Sequence, residues 1–249
     1  MRTSNPTDRP IDRHARQTEV VAALQKVLPD HALLWTPEDT TPYECDGLTA
    51  YRQRPLCVAL PESYAQVAGV LKACHALQVP VVARGAGTGL SGGAMPHEMG
   101  VTLSLAKFNQ ILSIDPLAQT AVVQAGVRNL AISEAAAPHG LYYAPDPSSQ
   151  IACTIGGNVA ENSGGVHCLK YGLTVHNILK VEGYTVAGEP ITFGADALDS
   201  PGLDTLALLI GSEGMLAVVT EVTVKLVPKP QLARCIMASF DDVRKAGDA

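Results

Sequence analysis

The stretch RGAGTGLSGG, Arg84–Gly93, follows the apolar run VPVVA and sets Gly87, Gly89 and Gly92 at GxGxxG spacing. A βαβ dinucleotide fingerprint needs a helix that starts inside the glycine motif, because the helix N-terminus holds the pyrophosphate. The residues after Gly92 are GAMPHEMG, in which Pro96 and Gly100 break a helix, and the β-rich VTLSL follows at once. No crossover helix fits. Asp115 stands roughly where a ribose-binding carboxylate would be sought, but it follows two β-rich runs rather than a βαβ unit. What remains is a loop whose glycines, Gly85, Gly87, Gly89, Gly92 and Gly93, free backbone N–H groups to turn inward as an anion nest. The alternative is a plain glycine hairpin joining two strands.

Upstream, LCVAL reads as a buried strand and PESYAQVAGVLKACHALQV as an amphipathic helix with Val67, Val70, Leu71, Cys74 and Leu77 on one face. With VPVVA as the next strand, the order predicts a parallel βαβ crossover, and the glycine loop leaves the carboxyl end of a parallel strand, where open α/β sheets place ligands. Further upstream, TEVVAALQKVL predicts a helix from Thr18 that stops at Pro29, after a polar stretch, residues 1–17, expected as a frayed tail or a partner-contacting arm.

Downstream, ILSI and TAVVQA are short β-rich runs, and NLAISEAAAPHG predicts a helix capped by Asn129 and ended at Gly140. AVVTEVTVKLV alternates, with Val218, Val222, Val224 and Leu226 on one face and Glu221, Thr223 and Lys225 on the other, which predicts a half-solvated antiparallel strand. The chain thus passes from parallel α/β to mainly antiparallel α+β, and two lobes with a cleft between them are expected.

Composition narrows the function classes. With 249 residues, 47% hydrophobic and 17% charged, the chain can bury a substantial core. A net charge of −6 with scattered Lys and Arg offers no footprint for nucleic acid. Mean hydropathy is +0.14, but no apolar run approaches the ~20 residues that span a bilayer, so a soluble or at most peripheral protein is expected. Cys45, Cys57, Cys74, Cys153, Cys168 and Cys235 lack zinc or disulfide spacing and are expected as reduced, small buried residues.

Two further glycine-rich segments accompany the first. PDPSSQIACTIGGNVAENSGG, residues 145–165, offers hydrogen bonds from Ser148, Ser149, Thr154, Asn158 and Asn162 and close backbone approach at Gly156 and Gly157. IGSEGMLAVVT places Gly211, Glu213 and Gly214 ahead of the antiparallel run. Three such segments on one cleft suit a long ligand with a phosphate middle.

VPVVARGAGTGLSGGA, then PDPSSQIACTIGGNVAENSGG with LKYGLT, and GSEGMLAVVTEVTVKLVPKP resemble the FAD-binding segments of the vanillyl-alcohol-oxidase-type (PCMH-type) flavoproteins, nearest the glycolate oxidase and D-lactate dehydrogenase branch. The resemblance runs from about Tyr43 to Pro230 and implies a two-lobed α+β FAD-binding domain over residues 18–229, with lobes of about 18–115 and 116–229. It implies that Arg84, Gly85, Ala86, Gly87, Thr88, Gly89 and Ser91 bind the FAD pyrophosphate. Pro145, Asp146, Ser149, Thr154, Gly156, Gly157, Asn158, Asn162 and Gly165 would run along the flavin, ribityl and phosphates, and Glu213, Gly214 and Val219 would sit by the adenosine half. Local turn capping is the alternative for any single serine or asparagine.

Two departures qualify the resemblance. Thr88 stands where relatives with covalent flavin often carry histidine, so non-covalent FAD is expected. Relatives also continue into a cap domain that supplies substrate-binding and metal-binding residues and the base, so 230–249 is expected to begin a truncated cap and the chain to be an amino-terminal half. His75, His97, His139, His167 and His176 show no metal-binding spacing, and no catalytic or metal residue is assigned; His167, beside the flavin segment, is the nearest to an exception. The implied function is flavin-dependent oxidation of a 2-hydroxy acid by hydride transfer to flavin N5. The implied partners are iron–sulfur or other flavoprotein subunits of a glycolate oxidase complex, in the cytoplasm or peripheral to the inner membrane through them. The alternatives are a non-catalytic FAD-holding or assembly subunit, and an NAD-binding dehydrogenase.

Overall fold

The computed structural model describes residues 12–196, 202–232 and 234–249. Helix α1 (Arg13–Leu24) begins a turn ahead of the predicted start, capped by Asp12, which accepts from the His14 N–H at 2.9 Å. Arg13 Nη2 donates to the Pro55 carbonyl at 2.9 Å, and Gln17 Nε2 donates to the Leu56 and Trp35 carbonyls at 2.7 and 3.0 Å. Polar bonds to distant backbone hold this turn, so no apolar spacing announces it. Residues 13–17 of the expected tail are therefore helix, and residues 1–11 lie outside the described residues.

The first sheet has the order β1-β2-β4-β3, built from β1 (Leu33–Leu34), β2 (Cys57–Ala59), β3 (Val81–Arg84) and β4 (Val101–Ser104), with the short helix α2 (Pro37–Thr40) after β1. The expected crossover is present: β2 and β3 are joined by α3 (Tyr64–Ala76) and both run parallel to β4, which lies between them. Helix α3 starts at Ser63, whose hydroxyl accepts from the Gln66 N–H, and buries Val67, Val70, Leu71 and Cys74.

The second sheet is antiparallel, in the order β5-β6-β10-β8-β9, from β5 (Ile111–Asp115), β6 (Thr120–Gln124), β8 (Ile178–Tyr184), β9 (Pro190–Gly194) and β10 (Val218–Lys225). The strands change sheet between Ser104 and Ile111. Strand β10 is central, and the face expected to be solvated is only partly so: Glu221 and Lys225 are half-buried, whereas Thr220 and Thr223 are buried, α5 (Ile155–Glu161) packs on the strand, and the Thr220 hydroxyl donates to the Glu182 carbonyl at 3.2 Å. Threonine is tolerated there because its hydroxyl finds an acceptor.

Helix α4 (Asn129–Ala136) has Arg128, not Asn129, at its N-cap, without a side-chain cap bond, and Gly140 in the left-handed region ends the turn that follows it. The remaining elements are β7 (Leu141–Tyr142), which pairs with β11 (Val227–Pro228), and the helices α6 (Cys168–Tyr171), α7 (Thr205–Leu209) and α8 (Val243–Asp248). One continuous apolar core runs through both sheets, from Val20 and Leu24 through Leu103 and Val123 to Val222 and Leu226. All six cysteines are free thiols, but only Cys57, Cys74 and Cys153 are buried; Cys45 and Cys168 are half-buried and Cys235 is exposed, against the expectation that all pack inside. Among the described residues no helix is long and apolar enough to cross a membrane.

Candidate functional site

A cavity of about 320 Å³ opens where the loop after β3, the start of α5 and the loop before β10 meet. Three chain segments far apart in sequence reach it, because β3 and β10 belong to different sheets whose ends converge there.

The glycine loop is built as a donor surface. Among the described residues no acceptor takes the backbone N–H of any residue from Ala86 to Ala94, so this run of amides is available to a ligand. Gly87 has φ +70°, a conformation that side chains rarely adopt, and a Cβ there would land on the Arg84 guanidinium. At the facing end, the N–H of Gly157 in the first turn of α5 also lacks an acceptor among the described residues, and the Thr154 hydroxyl is buried without a partner. A Cβ on Gly157 would meet only Thr154 Oγ1, at 3.4 Å, so Gly157 keeps open the space in front of it. Gly156 has a different reason to be glycine: a Cβ would lie 2.8 Å from Ala125 Cβ and 3.0 Å from the Ala125 carbonyl, which is the contact that seats α5 on the end of β6.

Charge in the cavity is divided. Arg84 is buried, and burial lowers its pKa while the nearby Asp46 carboxylate opposes that drop; it stays a cation at neutral pH. Its Nη1 donates to the Cys45 carbonyl at 2.8 Å and the Ala94 carbonyl at 3.3 Å. Glu161 and Glu213 flank the other end of the loop: Glu161 accepts from the Ser91 hydroxyl at 3.0 Å, and Glu213 is held at φ +54°. A phosphate is thereby directed to the amide-rich stretch near β3, and the carboxylate end suits hydroxyl or amine donors. Leu105, Ala125, Ala217 and Val219 form an apolar wall between them.

The cavity brings together Arg84, Gly85, Ala86, Gly87, Thr88, Gly89, Ser149, Thr154, Gly156, Gly157, Asn158, Glu213, Gly214 and Val219. Five expected residues stand outside its lining. Ser91 is turned to Glu161, Asn162 Oδ1 accepts from the Val175 N–H at 3.0 Å, and the Pro145 carbonyl accepts from Asn129 Nδ2 at 2.9 Å. Asp146 accepts from the His167 ring at 2.6 Å, and Gly165 packs directly against Asp146. These five frame the segment that carries Ser149 and Thr154. The sequence reading passed over Asp46, Cys153, Glu161 and Ser163, which line the cavity; Cys153, Glu161 and Ser163 lie inside the glycine-rich segment 145–165, where an acidic residue among amides was the available signal.

Residues 55–194 match a family model described as an FAD binding domain. The chain is 66% identical over 231 residues to glycolate oxidase subunit GlcD of Escherichia coli (strain K12), covering 93% of this chain and 46% of that protein. It is 42% identical over 205 residues to glycolate oxidase subunit GlcD of Bacillus subtilis (strain 168), covering 82% and 44%, and 34% identical over 227 residues to D-lactate dehydrogenase of Anaerostipes hadrus, covering 90% and 47%. The chain spans about half the length of the curated relatives it matches. Among solved structures, an alkyldihydroxyacetonephosphate synthase superposes with a TM-score of 0.76 at 21% identity, over 92% of this chain and 42% of that one, which shows a shared fold.

Proposed function

The chain belongs to the FAD binding domain family, and on that premise we propose that it is the FAD-binding part of a flavin-dependent 2-hydroxy-acid oxidoreductase of the glycolate oxidase or D-lactate dehydrogenase type. The observation that carries the reading is 66% identity to a GlcD along 93% of the chain, in a protein whose three glycine-rich segments converge on one cavity. The cavity fits the cofactor: the free amides at the β3 end of the loop, from Ala86 to Gly89, suit a pyrophosphate, the orphaned Thr154 hydroxyl and the Gly157 N–H suit polar atoms beside it, and the apolar wall suits a ring system.

FAD, when bound, supplies the two-electron acceptor for hydride from the substrate's α-carbon. The chain's own residues bind, orient and exclude water. In this proposal Gly85–Gly89 hold the phosphates, Ser149, Thr154, Gly157 and Asn158 lie along the middle of the cofactor, and Glu213, Gly214 and Val219 face the adenosine half. Pro145, Asp146, Asn162 and Gly165 act as the frame behind them, and Ser91 steadies Glu161. Binding is non-covalent, since Thr88 offers no ring nitrogen to the flavin. The FAD-binding unit is proposed to span 18–229, with 230–249 belonging to a following region. Partner subunits of a glycolate oxidase complex, iron–sulfur or flavin-bearing, and a cytoplasmic or peripheral membrane place belong to the same proposal and rest on the likeness to GlcD.

A second reading, a subunit that holds FAD and leaves catalysis to another polypeptide, is favoured by one feature: Arg84, the cation lining the cavity, has Nη1 on two carbonyls and Nη2 against Gly87, which narrows its access to a substrate carboxylate. Purification and an absorbance spectrum test the common core of both. One equivalent of FAD per chain is expected; a folded chain that takes up NAD and no flavin would defeat it.

A further inference from the structure

Arg84 stands at the last position of β3, nine-tenths buried, and its side chain runs back under the loop that it precedes. Its Nη1 is shared between the carbonyl of Ala94, at the far end of the glycine loop, and that of Cys45, in the segment before β2. The guanidinium carbon lies 5.6 Å from the Tyr43 ring centroid, and the Asp46 carboxylate is within Coulombic reach. The segment that supplies these partners is itself pressed on the loop, since a Cβ at Gly47 would come within 2.6 Å of the Gly89 carbonyl and 2.9 Å of the Thr88 carbonyl. Above the guanidinium sits Gly87, where a Cβ would be 2.8 Å from Arg84 Cζ.

We propose that Arg84 is a positioning residue that closes the glycine loop into a ring by tying its two ends together and to the 43–47 segment, and so presents the amides of Ala86–Ala94 without itself holding the phosphate. A loop whose N–H groups are unbonded from Ala86 to Ala94 among the described residues has few internal hydrogen bonds to order it; something outside the loop must. Lysine is a poor replacement here, because one planar group bridges two carbonyls through Nη1, lies against Gly87 through Nη2 and faces the Tyr43 ring, whereas an ammonium is a strongly hydrated point charge. Ordering the loop before the ligand arrives lowers the entropy lost on binding, which is how a residue that does not touch the cofactor raises affinity for it. The inference rests on the reading of this cavity as the FAD site.

The test is Arg84→Lys in the full chain, which keeps the charge and loses the fork. Backbone ¹⁵N relaxation is measured without added nucleotide, and FAD affinity by fluorescence titration. Order parameters of Ala86–Ala94 are expected to fall from about 0.85 to below about 0.6 while those of β6, β8 and β10 hold, with FAD affinity reduced about tenfold or more. An unchanged loop with weakened FAD would make Arg84 a direct phosphate ligand and overturn the proposal. A parallel loss of order in the β strands would reduce Arg84 to general support and overturn it equally. Gly87→Ala, whose methyl must displace the guanidinium, provides a second arm that leaves residue 84 intact: it is expected to loosen the loop likewise, and a loop as ordered as in the parent would count against the strut. A parent chain that takes up no FAD, yet shows these order-parameter changes, would sink the functional reading and leave the loop strut standing.

Discussion

Asn158 Nδ2 donates to Asn129 Oδ1 at 2.9 Å, and Asn129 Nδ2 passes the chain on to the Pro145 carbonyl at 2.9 Å. Both asparagines are buried, and the relay ties α4, α5 and the 145–149 segment together beneath the cavity. Asn129→Ala removes an acceptor from the buried Asn158 amide and a donor from the Pro145 carbonyl. It should destabilise the chain by about 1–3 kcal/mol, the cost of leaving buried polar groups unpaired. Urea unfolding measures it, and a loss under half a kilocalorie would mean that the relay is not what holds these elements.

Gly87→Val and Gly157→Val should both abolish flavin retention, by different routes. At Gly87 the branched side chain meets both a left-handed backbone and the Arg84 guanidinium, so the loop itself is displaced. At Gly157 the surroundings leave room for a Cβ, so the side chain occupies the cavity while the fold survives. The second variant should therefore unfold close to the parent's denaturant midpoint yet purify colourless. Two yellow proteins with full FAD content would refute the assignment of the cavity.

Acid precipitation of the FAD-loaded chain should leave all the flavin in the supernatant. Thr88 has no nucleophilic nitrogen, so no histidyl bond to the ring can form in the loop. Flavin fluorescence travelling with the denatured polypeptide on a gel is the contrary outcome, and it would direct attention to Cys153, the buried thiol in the cavity wall.

FAD-loaded chain mixed anaerobically with glycolate or D-lactate should keep its oxidised flavin spectrum. Arg84, the cation lining the cavity, has Nη1 on two carbonyls and Nη2 against Gly87, so it is poorly placed to hold a substrate carboxylate; without such positioning, several kcal/mol of barrier reduction are forfeited. Prompt bleaching by either acid would show that the described cavity already contains a complete substrate site.

Stability should decline on the alkaline side. Burial raises the thiols of Cys57 and Cys74 from 9.0 to about 12, Cys57 further through Cys74, and burial raises the Tyr64 hydroxyl from 10.0 to about 12. The folded state keeps these protons where the unfolded chain releases them, so their contribution is complete below about pH 9 and is lost as pH rises from there towards 12. Unfolding midpoints followed between pH 7 and 10.5 should be level and then fall, and Cys57→Ala should flatten the fall. A midpoint that rises with alkalinity would contradict the sign.

By itself the sequence determined what depends on neighbours along the chain. The glycine spacing of Arg84–Gly93 and the breakers Pro96 and Gly100 excluded a crossover helix, and the 3.6-residue apolar period of α3 and the two-residue alternation of β10 named those elements, because backbone preference and amphipathic period are local properties. Where the second partner lies far off in the chain, only the tertiary structure decided. Asn129 has the residue type of a cap, yet a buried acceptor and donor from other segments draw it inside; Thr223 has the look of a solvent-facing residue, yet it is buried in a strand on which α5 packs. Arg84 is the sharpest case: its charge beside a phosphate-type loop suggests a ligand, and only the fold shows that its Nη1 also bridges the carbonyls of Cys45 and Ala94. A buried polar group goes where its hydrogen bonds can be completed, and the groups that complete them are chosen by the packing of the whole chain.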